Sequence, residues 1–95
     1  MSIDFTKQAR PLSETLTADD GGRIIPLKGF FNIKVSNTGE TIAYLFNKSL
    51  VLMPGIPQCI GVEGVALSEN TKLEFANGTG IKEVKIIKYE IISCT

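Results

Sequence analysis

The sequence predicts an all-β domain, a six- to seven-stranded antiparallel sandwich of Greek-key or jelly-roll-like form, preceded by an extended N-terminal arm. Three observations predict it. From Arg23 onward the chain is rich in Val, Ile, Phe and Tyr, residues that fit a pleated, half-buried surface. Apolar residues recur at alternate positions in short runs, as in Phe31, Ile33 and Val35. Clusters of Gly, Pro and Asn separate those runs about every 8–12 residues, the spacing of a sandwich or small barrel.

The elements follow in order. Residues 1–22 carry isolated apolar side chains (Ile3, Phe5, Leu12, Leu16) among polar ones, with Pro11 interrupting any helix. They read as an arm, closed by the turn Asp19-Asp20-Gly21-Gly22, that crosses to a neighbouring subunit or frays, with a local helix over Ser13–Ala18, capped by Ser13, as the third alternative. Residues 23–95 read as the sandwich domain. Arg23–Leu27 is a short strand that Pro26 confines to an edge. Gly29–Ser36 and Thr41–Asn47 read as a hairpin about Thr38-Gly39. Its first strand turns Phe31, Ile33 and Val35 to one side, and its second does the same with Ile42, Tyr44 and Phe46. The second strand is apolar on both sides, so two registers fit.

Ser49–Met53 is the next strand, stopped at the corner Pro54-Gly55-Ile56-Pro57. Gln58–Leu67 is extended, with bends at Gly61 and Gly64. Thr71–Ala76 turns Leu73 and Phe75 one way, and Lys72 and Glu74 the other. Ile81–Ser93 is a strand, because five isoleucines and a valine are stiff in a helix. Its apolar side changes at Ile86-Ile87, which places a β-bulge there.

Composition bounds the function. The 95 residues form one domain, and 43% hydrophobic with 21% charged residues is ordinary globular content. Ten basic residues balance ten acidic ones, so the molecule as a whole has no pull toward phosphate backbones, and little charge to oppose self-association. The start lacks the basic end and apolar stretch of a secretion signal, and no apolar run is long enough to span a membrane. A cytoplasmic location is expected.

The chain has no histidine, which removes histidine-based triads and imidazole metal sites. Cys59 and Cys94 do not form a metal-ligand pattern, and are expected as inert thiols, Cys59 buried. Asp19-Asp20-Gly21-Gly22 lacks the alternating acidic loop of a calcium site, and Gly78-Thr79-Gly80 has no helix behind it to receive a phosphate. Lys82, Lys85 and Lys88 are interleaved with Glu83 and Glu90 and read as a solvated strand edge. No catalytic residue, metal ligand, cofactor or small-molecule substrate is expected.

The phrase Val35-Ser36-Asn37-Thr38-Gly39-Glu40-Thr41, then Leu45-Phe46 and Met53-Pro54-Gly55, resembles the small β-sandwich proteins of phage and virus particles over residues 29–56. Immunoglobulin-like adhesion modules carry similar phrases. The resemblance implies a non-enzymatic virion subunit (a minor capsid, vertex or decoration protein) that packs through its arm and one sheet face. Its partners would be copies of itself and other particle proteins. Apolar residues on both faces of several strands point the same way, because they leave surface beyond one core to cover. Phe5, Leu12, Leu16, Ala43, Leu45 and Ile92 are the candidate subunit contacts. The alternative is a ligand-binding or adhesion module, for carbohydrate in one version, using loops 54–58 and 77–80.

Overall fold

The computed structural model describes residues 7–93, and these are mostly β-strand with no α-helix. The strands are β1 (Lys7–Thr17), β2 (Ile24–Ile25), β3 (Phe31–Asn37), β4 (Ala43–Leu45), β5 (Leu50–Leu52), β6 (Pro57–Ile60), β7 (Thr71–Lys72), β8 (Glu74–Phe75) and β9 (Glu83–Ser93). They form a four-stranded sheet in the order β1-β9-β3-β6, a three-stranded sheet β5-β4-β8, and a pair β2-β7. Every strand pair is antiparallel. One buried cluster joins the two larger sheets, with Leu16, Ile33, Val35, Val84 and Ile86 from the first and Ala43, Leu45 and Leu52 from the second.

Much of the predicted arm is a strand of the chain's own sheet. β1 pairs with β9 along its whole length, from Lys7 opposite Ser93 to Thr17 opposite Glu83. The sequence hides this strand because Glu14 stands between Leu12 and Leu16 on the side that faces inward. Lys88 breaks the inward row of β9 in the same way, after Val84 and Ile86. The two breaks answer each other. Lys88 is only 1% exposed, and its Nζ lies 3.5 Å from Glu14 Oε1. The same ammonium donates to the Pro26 carbonyl at 2.7 Å and sits 4.2 Å from the centre of the Phe30 ring. A buried charge persists only when it is paired and hydrogen-bonded, and Lys88 is both.

Lys88 is therefore a core residue, not part of a solvated edge. The apolar side of β9 does not switch at Ile86-Ile87, since the alternation runs straight through to Lys88. The bulge lies instead on β3, where the register to β9 shifts between Phe31 and Lys34 and Asn32 takes a φ of 48°. Its amide oxygen accepts from Gly64 N–H at 2.7 Å, which ties the 61–66 loop to the sheet.

The predicted hairpin of β3 and β4 does not form, because the two strands enter different sheets. The chain between them pairs with residues 81–83, at the start of β9. Thr38 and Gly39 N–H donate to the Glu83 carbonyl, and Glu40 and Thr41 N–H to the Ile81 carbonyl. Buried Asn37 pins this corner. Its Nδ2 donates to the carbonyls of Thr41 (2.7 Å) and Leu52 (2.8 Å), and its Oδ1 accepts from Gly39 N–H (3.0 Å). In β4 the core side is Ala43 and Leu45, while Ile42, Tyr44 and Phe46 are half-buried. Thr71–Ala76 also divides between sheets: β7 pairs with β2, β8 with β4, and Leu73 between them is fully buried.

Candidate interaction surface

The four-stranded sheet has an inner side on the core and an outer side without cover among the described residues. Register and alternation assign the outer side. β9 contributes Lys85, Ile87, Tyr89 and Ile91; β1 contributes Ala9, Pro11, Ser13 and Thr15; β3 and β6 contribute Phe31, Lys34 and Cys59. Ile87 is 40% exposed and Ile91 58%. Phe31 and Tyr89 lie side by side with ring centres 6.1 Å apart. An apolar stripe thus runs along β9 and widens at Phe31, with Lys34 and Lys85 beside it. Val62 and Val65 are exposed on the adjoining loop.

A hollow of about 490 Å³ opens between Ile87, Tyr89, Lys34, Cys59, Ile60 and Glu63 on this side. A second, of about 530 Å³, lies between Ile24, the turn 46–49 and residues 69–72. The turn itself is strained. Phe46, Asn47 and Lys48 have φ of 53°, 54° and 67°, a left-handed run of three residues that all carry a Cβ. Thr71 Oγ1 fixes its start by accepting from Phe46 N–H at 2.7 Å. Neither hollow is lined by loops 54–58 or 77–80.

At one end the sheet narrows. The last partner of β9 in β3 is Tyr89, so Glu90–Ser93 have only β1 beside them. The resulting two-stranded ribbon contributes to an elongated shape of 49 × 22 × 20 Å for the described residues. Arg10 bonds Glu90 across the ribbon, and Ile91 and Ile92 project from its opposite sides.

The candidate contacts separate accordingly. Ala43 and Leu45 have no exposed surface and Leu16 is buried, all three inside the chain's own core, so none offers a surface to a subunit. The physical reason is the choice of face in β4: both sides were apolar, and the smaller Ala43 and Leu45 fill the space between the sheets while Tyr44 stays half-buried. Leu12 is half-buried at the sheet edge and Ile92 is exposed on the ribbon. Phe5 lies outside the described residues, as does Cys94. Cys59 is exposed, not buried, because β6 is an edge strand that turns it to the outer side. Ile87, Tyr89 and Ile91 share one side in the sequence pattern, and the structure turns that side outward. Their alternate spacing was the available signal, and the bulge expected at Ile86-Ile87 would have turned them to the side of Val84 and Ile86.

Among the described residues no group of three or more Cys, Asp or Glu side chains is placed to hold a metal ion, and no helix is long and apolar enough to cross a membrane. No protein-family model matches the chain, and neither a curated protein nor a solved structure shows significant similarity to it.

Proposed function

We propose that this chain is a non-enzymatic structural subunit that acts through protein–protein contacts, as a minor capsid, vertex or decoration protein of a phage or virus particle. One observation carries the reading: the outer side of the four-stranded sheet bears an apolar stripe where an antiparallel sheet ordinarily turns polar side chains to water. Covering apolar surface yields about 25 cal/mol per Å² removed from water, so a partner on this stripe gains from Ile87, Tyr89, Ile91 and Phe31 together. The placement in a particle rests on the resemblance of residues 29–56. Two sheets around one core are compatible with the sandwich of such proteins, and the ribbon of β1 and β9 takes the part of the arm.

Sedimentation velocity over rising concentration tests this, with wild type beside the double variant Ile87→Lys/Ile91→Lys. The expected result is association of the wild type, weakened in the variant with melting temperature retained. A wild type that stays strictly monomeric at high micromolar concentration, and captures no particle protein, overturns it.

A further inference from the structure

We propose that a second copy of this chain adds to the open edge of β1, the two β1 strands pairing antiparallel about a two-fold axis at Leu12. The inference rests on the structural-subunit reading and names one of its contacts. The inner edge of β1 is taken by β9 at all its positions, and its outer edge has no partner among the described residues. Such an edge is a row of unpaired N–H and C=O groups, a template for another strand. A two-fold axis makes the contact self-complementary and closes it at two copies.

The charges select the register. For the outer sides of both sheets to continue into one another, facing residues must point to the same side, so the axis falls on a residue. An axis at Arg10 or Glu14 sets like charges against each other. An axis at Pro11 sets Arg10 against Leu12, and one at Ser13 sets Arg10 against Leu16. At Leu12, Arg10 faces the partner's Glu14 and Glu14 faces the partner's Arg10. Both side chains are available, Arg10 being 57% and Glu14 40% exposed. Within each chain Arg10 already holds Glu90, and Glu14 holds Lys88. The pairing therefore lines up Glu90, Arg10, the partner's Glu14 and the partner's Lys88 in alternating sign. Half-buried Leu12 meets its own copy on the axis. Pro11 lacks an N–H and removes one donor per strand, which leaves the rest of the edge to pair.

Disulfide trapping reads the register directly. In a Cys59→Ser/Cys94→Ser background, Leu12→Cys is expected to give a covalent dimer under mild oxidation, because facing Cβ atoms in an antiparallel pair lie about 4.5–5.5 Å apart. Ser13→Cys is expected to stay unlinked. A mixture of Ala9→Cys and Thr15→Cys chains gives the same readout from exposed positions if Leu12→Cys impairs folding. Arg10→Ala is expected to raise the dimer dissociation constant about three- to tenfold. Folded Leu12→Cys protein that does not cross-link, together with an unlinked Ala9→Cys and Thr15→Cys mixture, overturns the pairing. If the wild type still associates through Ile87 and Ile91, only the strand pairing falls; if it is monomeric and captures no particle protein, both readings fall.

Discussion

Asn37 and Lys88 are the two buried polar side chains on which the connection between parts of this molecule depends. Asn37 joins the end of β3 to the chain on either side of β4 by donating to the carbonyls of Thr41 and Leu52. Asn37→Ala leaves both carbonyls without that donor, and a buried group left unpaired costs about 1–3 kcal/mol. A loss of about 2–4 kcal/mol in chemical denaturation is expected; a loss under half a kcal/mol would contradict the role given to this side chain. Lys48 offers the opposite sign. Its φ of 67° is left-handed, and a Cβ there costs roughly 1–2 kcal/mol that glycine avoids. Lys48→Gly should raise the denaturation midpoint modestly, since the contact of Lys48 with the Tyr44 ring is a long one at 5.5 Å. A lower midpoint would show that this contact outweighs the strain. Residues of this kind were the least legible in the sequence. Lys88 reads as a surface lysine until Glu14, Pro26 and Phe30 are brought around it by strands far apart in the chain.

Strands were legible where side chains alternate, and their partners were not. β2, β4, β5 and β9 fall within the segments that the pattern marks, and β3 and β6 each overrun theirs by one residue, because alternation is a local property of a strand with one buried side. The corner at residues 37–41 shows the limit. Asn37-Thr38-Gly39 carries the residues of a hairpin turn, yet the chain there changes sheets, because its backbone donors find the carbonyls of Ile81 and Glu83 in place of β3. Gly39 is required by that approach: a Cβ on it would lie 2.5 Å from the Ile81 carbonyl oxygen and 2.7 Å from Glu83 N. Gly39→Ala must push one backbone off the other, at a cost of about 1–3 kcal/mol. Thermal unfolding checks this, and an unchanged midpoint would mean that the corner opens freely. β1 was missed for the reason that hid Lys88. Its inward row includes a glutamate, and no local pattern distinguishes a charge that will be paired across a sheet from one that faces water.

For the whole molecule, the distribution of apolar side chains matters more than their number. The inner sides of the two larger sheets share one core, and β9 bears a second apolar row on its outer side. Apolar residues on both sides of a strand were visible in the sequence; which side would be outer was not, since that depends on where the second sheet packs. The double variant Ile87→Lys/Ile91→Lys should leave stability within about 0.5 kcal/mol, because these exposed positions contribute little to the fold. Native Cys59 lies on the same outer side and gives the most direct test. In Cys94→Ser protein, the rate of thiol labelling at Cys59 should fall as concentration rises and partners cover the face. It should stay high at all concentrations when Ile87 and Ile91 are lysine. Labelling of wild-type Cys59 that is equally fast in dilute and concentrated protein, and in the presence of the proposed partner proteins, would contradict the account.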